Sequence, residues 1–249
     1  MLYYIYQKLF ILKDVYILAN CRILHLLSSK RFTDVENTII QSIKLLKDDC
    51  EIAYASPTGP ISRVLRENEI NYLPLEKMDF KSISGVVESY APNVIHAHDF
   101  EACIFASKFS KNTKVIAHIH EDSESFHKFS KDSLSFKTAS KHFTKIIWPS
   151  EESLNNYKFN KTIADKSTFL RKAINCEEVI KKSTLNENDK TIFFDILLFP
   201  DDTDNEAFMK FINILGLLKG RGFSFKCGVL SIISLRETFA PYIKECRSR

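Results

Sequence analysis

Glycine is scarce in this chain, with 6 in 249 residues. Loops that let backbone N–H groups close on a phosphate are built largely from glycine. A chain this poor in glycine is not expected to hold several such loops. The six cysteines (Cys21, Cys50, Cys103, Cys176, Cys227, Cys246) contain no C-x-x-C pair, which removes zinc-ribbon and thioredoxin-like readings. Cys50 and Cys103 sit in or beside apolar runs and read as small core residues. A reducing cytoplasm is the simplest compartment.

No uncharged run approaches the ~20 residues of a membrane span. The opening Met1-Leu2-Tyr3-Tyr4-Ile5-Tyr6 is apolar and aromatic, but Lys8, Lys13 and Asp14 then break the apolar run. No small-residue cleavage site comes after it, so a signal peptide is not expected. Residues 1–21 read as an extension packing on the domain. Peripheral contact with the inner face of a membrane is the second reading. Charge of one sign is also lacking: the net charge is +4, without a long basic run. Nucleic acid is therefore not an expected partner, while anionic substrates or surfaces stay compatible.

What is present is an alternation of strand and helix. Arg22–Leu27, Glu51–Ala55, Asn71–Pro74, Val94–Ala97, Lys114–His118 and Lys145–Pro149 read as strands. Between them, 34–47 carries Val35, Ile39, Ile43 and Leu46 on one stripe, with Asp34 as its cap. Shorter helices fit 61–68, 80–90, 100–110 and 151–157, with Asp99 and Ser150 as caps of the last two. Strands alternating with helices imply βαβ units and a parallel sheet. The fold class expected is α/β, a Rossmann-like parallel sheet flanked by helices over residues 22–180. Residues 181–249 offer only two further βα units: strands at 191–199 and 225–233, helices at 203–219 and 235–245. Two parallel strands cover too little sheet for a robust core, so this part reads as an incomplete second Rossmann-like region.

Two strings carry the chemistry. Val94-Ile95-His96-Ala97-His98-Asp99-Phe100 and Lys114-Val115-Ile116-Ala117-His118-Ile119-His120-Glu121 are both apolar strands ending in titratable groups. In open α/β sheets ligands bind outside the carboxyl ends of strands. His120 and Asp99 are accordingly expected at a cleft, while His96 and His118 read as partnered core or strand-edge residues. His96 and His98 share a face, as do His118 and His120. The pairs invite a metal reading, and His-Ala-His-Asp is superficially similar to the H-x-H-x-D-H string of metallo-β-lactamase-like hydrolases. Here Asp99 directly follows the second His and no His follows it, so no metal ligands are assigned. A metal-dependent hydrolase is the remote third alternative.

The same strings carry a resemblance. Arg22-Ile23-Leu24-His25-Leu26-Leu27-Ser28-Ser29, Ala55-Ser56-Pro57-Thr58-Gly59-Pro60-Ile61, Val94–Phe100 and Val115–His120 match, in order, segments of the N-terminal acceptor domain of glycosyltransferase family 4. Ile146-Ile147-Trp148-Pro149-Ser150-Glu151 and Lys172-Ala173-Ile174-Asn175 are similar to later segments of that family. The resemblance implies a GT-B fold. It also implies sugar transfer from a nucleotide-diphosphate sugar to a glycan or lipid-linked acceptor, with retention at the anomeric carbon, in polysaccharide or glycoconjugate assembly. By the same resemblance His120 is the cleft histidine beside the transferred sugar, and His98, Asp99 and Ser29 line the acceptor side. Glu121 opens an acidic loop and is either a general base or part of a solvated turn. Arg171 and Lys172 are the best remaining cations for the donor phosphate, or else surface charges. No cofactor is implied beyond the nucleotide sugar as donor substrate.

The departures from the family are specific. Its first loop uses a Gly-Gly pair near the donor phosphate, whereas this loop reads Phe32-Thr33-Asp34-Val35-Glu36. The Arg and Lys that hold the diphosphate in the second domain have no counterpart in Ile196–Thr203, where Asp202 stands about where Lys belongs. A buried diphosphate needs cations or N–H donors. The expectation is therefore poor nucleotide-sugar binding by this chain alone, read as truncated and degenerate in its second domain. Three possibilities stand open: an enzyme impaired alone, a catalytically inactive pseudo-glycosyltransferase that serves as a binding or partner subunit, and a second polypeptide supplying the donor half. Residues 128–145, rich in Phe, Lys and Ser, read either as a membrane- or acceptor-facing helix or as an ordinary connecting helix with Phe136 inward. Trp148 reads as core.

Overall fold

The structure is a computed structural model that describes residues 21–120, 124–170, 180–181, 193–198 and 205–229. The chain divides into two compact units, Met1–Cys176 and Glu177–Arg249. The first unit holds seven parallel strands: β1 (Arg22–Leu26), β2 (Glu51–Pro57), β3 (Asn71–Leu75), β4 (Val94–Ala97), β5 (Lys114–His118), β6 (Lys145–Trp148) and β7 (Ser167–Phe169). Their order is β3-β2-β1-β4-β5-β6-β7. The helices are α1 (Asp34–Leu46), α2 (Ile61–Glu67), α3 (Phe80–Tyr90), α4 (Phe100–Ala106), α5 (Glu124–His127), α6 (Lys131–Ser140) and α7 (Glu151–Asn156). This is the α/β, Rossmann-like sheet expected. The chain reverses its direction of winding between β1 and β4, the switch point where such sheets open a crevice.

Each strand feeds two apolar layers because alternate side chains point to opposite faces. One layer holds Leu24, Leu26, Ile95, Ala97, Val115 and Trp148. The other holds Ile23, Leu27, Val94, Ile116 and Ile147, covered by Ile39 and Ile43 of α1 and by Ile61 and Leu65 of α2. Burial on both faces is why β1 and β4 read as almost unbroken apolar runs.

Local chemistry sets the helix starts. Thr33, not Asp34, is the N-cap of α1: its side chain accepts from the Val35 N–H while Glu36 accepts from the Thr33 N–H at 2.8 Å. This reciprocal capping box satisfies two otherwise orphaned donors, which a lone Asp34 cap would not do. Asp99 and Ser150 cap α4 and α7 as expected. The helix expected over 100–110 is α-helical only to Ala106 and tightens into a 3₁₀ turn at Ser107–Phe109. In 128–145 the helix is shorter, Lys131–Ser140, with Phe136 fully buried. That is the connecting-helix reading. Strand β7 has no apolar run to announce it; pairing with β6 places it in the sheet.

In the second unit β8 (Ile196–Leu198) and β9 (Cys227–Val229) form a parallel pair, and α8 (Asn205–Gly220) lies between them in the chain. Gly222 adopts φ +88°, the left-handed turn after the helix that favours glycine. Phe193, Ile214 and Leu217 are exposed. The helix expected at 235–245 lies outside the described residues. No helix among the described residues is long and apolar enough to cross a membrane.

Candidate functional site

Five of the seven histidines are buried together. Strand parity explains how. His25 alternates with Leu24 and Leu26, His96 with Ile95 and Ala97, and His118 with Ala117. All therefore share the face of Ile23, Val94 and Ile116. Register completes the arrangement: His25 of β1 lies directly beside His96 of β4. Beyond the strand ends, the His98 N–H donates to the Leu26 carbonyl at 3.1 Å and the Ile119 N–H to the Ile147 carbonyl at 2.9 Å. These bonds carry His98 and His120 along the same face past the sheet edge.

The rings touch. His25 Nδ1 lies 2.7 Å from His98 Nε2, and His98 Nδ1 lies 3.0 Å from His120 Nε2. His118 stacks on His120 with centroids 3.9 Å apart and on His96 at 5.3 Å. A neutral imidazole has one donor and one acceptor nitrogen. A neutral His98 therefore donates to one neighbour and accepts from the other, and the three rings share one proton polarity. The His25 Nε2 and His118 Nδ1 atoms are buried with no hydrogen-bond partner, as is the hydroxyl of Tyr54. Tyr54 of β2 is the lateral neighbour of His25 in the sheet.

Burial keeps four of these rings neutral. Desolvation, aided by the charge of His120, lowers the pKa of His25 to about 3. Burial and then the neighbouring rings push His96, His98 and His118 well below the ordinary histidine value. At neutral pH His25, His96, His98 and His118 offer uncharged nitrogen lone pairs and N–H groups.

Asp99 ties the edge together. One carboxylate oxygen accepts from the Ala102 N–H at 2.8 Å as the cap of α4, and the other from the Ser28 N–H at 2.6 Å. Desolvation nevertheless raises its pKa, against those N–H groups. Ser29, partly buried in the same loop, accepts from the Arg31 N–H at 3.2 Å. That loop packs tightly on the turn after β2: a Cβ built on Gly59 would lie 2.7 Å from the Lys30 carbonyl oxygen and Cβ. The same Lys30 carbonyl accepts from the Ile61 N–H at 3.2 Å. Gly59 is thus the glycine whose backbone approach this edge needs.

The sequence expectation of His98, Asp99, Ser29 and His120 at one sheet edge brings together residues that lie on neighbouring elements. His98 and His120 are more deeply buried than lining residues of an open cleft, at 2% and 8% exposure. His118 is buried at the end of β5, with its Nδ1 lacking a hydrogen-bond partner. Glu121, Arg171 and Lys172 lie outside the described residues. His25 and Tyr54 are the members that sequence reasoning missed. The signal for His25 was a polar residue inside an otherwise apolar buried strand.

No family model matches the sequence, and no curated protein matches it. Among solved structures the chain is similar to Anabaena Alr3699/HepE in complex with UDP, with TM-score 0.65 and 11% identity over 92% of this chain and 66% of that chain. It is similar to a glycosyltransferase from Rickettsia africae ESF-5, with TM-score 0.60 and 17% identity over 92% of this chain and 65% of that one. It is also similar to a UDP-GlcNAc 2-epimerase from Neisseria meningitidis bound to UDP-GlcNAc, with TM-score 0.55 and 15% identity over 86% and 67%. The chain spans about two thirds of the length of the structures it matches. At these identities the likeness is one of fold, that of GT-B proteins, and a fold of this kind hosts more than one chemistry.

Proposed function

We propose that the chain is a glycosyltransferase-like protein of the family 4 type, concerned with sugar transfer from a nucleotide-diphosphate sugar to a glycan or lipid-linked acceptor. Its setting would be polysaccharide or glycoconjugate assembly in the cytoplasm, peripheral at the inner membrane face where the acceptor is lipid-linked. The observation that carries this reading is the meeting of Ser28, Asp99, His98 and His120 at the carboxyl edge of β1, β4 and β5, on a sheet of GT-B type. In this reading the first unit is the acceptor side. His98, Asp99 and Ser29 position acceptor hydroxyls, His120 stands beside the transferred sugar, and Glu121 takes the acceptor proton. The leaving diphosphate is the main electrostatic demand. Arg171 and Lys172 are the cations assigned to it, and two cations without a glycine loop support only weak donor binding.

A second reading has an observation of its own. The loop after β1 is closed against Gly59, and its Lys30 carbonyl is engaged by the Ile61 N–H. That favours a catalytically inactive subunit that binds acceptor, with a second polypeptide completing the donor half. Exposed Phe193, Ile214 and Leu217 are what such a partner would cover.

The test is to incubate the full chain with UDP- and GDP-sugars and with glycan and lipid-linked acceptors, measuring nucleoside diphosphate release and acceptor mass. Slow acceptor-dependent transfer, abolished by His120→Ala, supports the enzyme. Acceptor binding without transfer supports the subunit. If no acceptor binds and none is glycosylated, both readings fall.

A further inference from the structure

The buried histidines outnumber what an acceptor surface requires, and their arrangement has a chemistry of its own. His98, His118 and His120 each offer a ring nitrogen, and the three nitrogens lie within 4.8 Å of one another. A tetrahedral zinc site with Zn–N bonds of about 2.0–2.1 Å holds its nitrogens roughly 3.3 Å apart. His98 Nδ1 and His120 Nε2 already lie 3.0 Å apart. The third ring is that of His118, whose Nδ1 is buried and without a hydrogen-bond partner. A buried acceptor left without a hydrogen bond is unfavourable, and a cation would relieve that.

The surroundings complete the pattern. A metal-ligating histidine almost always hands its second nitrogen to an outer partner, which fixes its tautomer and orientation. His98 has such a partner, since its Nε2 lies 2.7 Å from His25 Nδ1. His25, His96 and His98 form a second trio within the same distance, but it would spend the nitrogen that His25 now holds. The outer trio also includes the least buried of the five rings, His120.

We propose that His98, His118 and His120 form a site for one late first-row divalent cation of the zinc, nickel or copper class, with His25 as the positioning residue. A donor set of imidazoles alone suits these ions and disfavours magnesium or calcium, which take oxygen ligands. Loading needs no net proton release. The proton shared between His98 Nδ1 and His120 Nε2 is carried by His120 in this arrangement, and His120 passes to its other tautomer when Nε2 binds the ion. The fourth coordination position is left to solvent or an exogenous anion. The site departs from the sequence expectation of no metal ligands, and it does not rest on the glycosyltransferase reading.

The test uses the full, tag-free chain stripped with a chelator and titrated with Zn²⁺ by calorimetry and with Co²⁺ by absorption. The expected result is one equivalent of Zn²⁺ with a Kd of about 10 µM or tighter, and a tetrahedral d–d cobalt spectrum with no thiolate-to-cobalt band. His98→Gln and His118→Gln each weaken binding at least tenfold. His25→Gln weakens it by about 10–100-fold, as loss of an outer partner does, and exposed His142→Gln leaves it unchanged. Circular dichroism reports whether each variant folds. If the glutamine variants do not fold, the wild-type stoichiometry and cobalt spectrum decide. No stoichiometric binding by the folded wild type overturns the proposal. So does a thiolate band, or unchanged affinity in folded His98→Gln and His118→Gln.

Discussion

Two clusters of planar rings lie in the first unit. On one face Phe126, Phe136, Trp148 and Tyr157 pack together, mostly edge to face, with Phe136 and Tyr157 centroids 5.7 Å apart at 87° and Phe126 and Phe136 5.4 Å apart at 79°. Their polar handles are satisfied: Trp148 Nε1 donates to Ser167 Oγ at 3.1 Å and the Tyr157 hydroxyl to the Ser133 carbonyl at 2.9 Å. On the other face five imidazoles pack as closely, yet His25 Nε2, His118 Nδ1 and the Tyr54 hydroxyl have no partner. The first cluster is a finished core. The second carries polar atoms that folding alone does not reward, and buried polar groups left unpaired are where function is sought.

Acid tests the imidazole face first, measured in metal-free protein with chelator present. His25 is held at about 3 from an ordinary 6.5, so between those values the unfolded chain binds the extra proton. Stability is therefore complete above pH 6.5 and lost as the pH falls. One such ring contributes about 1.4 kcal/mol per pH unit, or roughly 2 kcal/mol between pH 6.5 and 5. His96, His98 and His118 act in the same direction, with a sum limited by their mutual coupling. Urea midpoints should fall steeply from pH 6.5 to 5. A flat profile over that range would break the contrast between the two clusters.

The counterpart is Phe136→Ala, which empties the finished cluster. A loss of about 3–5 kcal/mol is expected, with the acid slope unchanged; urea denaturation at pH 7.5 and 5.5 measures both. The smallest effect sharpens the comparison most. Tyr157→Phe removes a satisfied hydroxyl and should cost about 1 kcal/mol, whereas Tyr54→Phe removes an orphaned one and should be neutral or stabilising. Equal losses in thermal melts of the two variants would mean the imidazole face is as finished as the aromatic one.

Much of this was legible in the chain. Val94-Ile95 and Val115-Ile116-Ala117 announce buried parallel strands, and Asp99 announces the helix after β4. Parity put His96 with His98 and His118 with His120. What could not be read was adjacency. That β1 lies beside β4, setting His25 against His96 across 71 residues of chain, comes from the sheet order and from no local pattern. Nor could spacing tell that His118 Nδ1 is left without a hydrogen bond, because such partners come from tertiary packing. Thr33 displaced Asp34 as a cap because Glu36 could answer it. Strand β7 escaped notice because three residues carry no period.

The central claim is that the edge where β1, β4 and β5 end is an acceptor surface. Isotope-labelled full chain, titrated with oligosaccharide acceptors and separately with UDP- and GDP-sugars, tests it by backbone amide shifts. The account predicts shifts concentrated at residues 28–33, 57–60 and 98–100 with an oligosaccharide, and no submillimolar response to the nucleotide sugars. Submillimolar nucleotide-sugar binding, with those amides unmoved by every oligosaccharide, would contradict it.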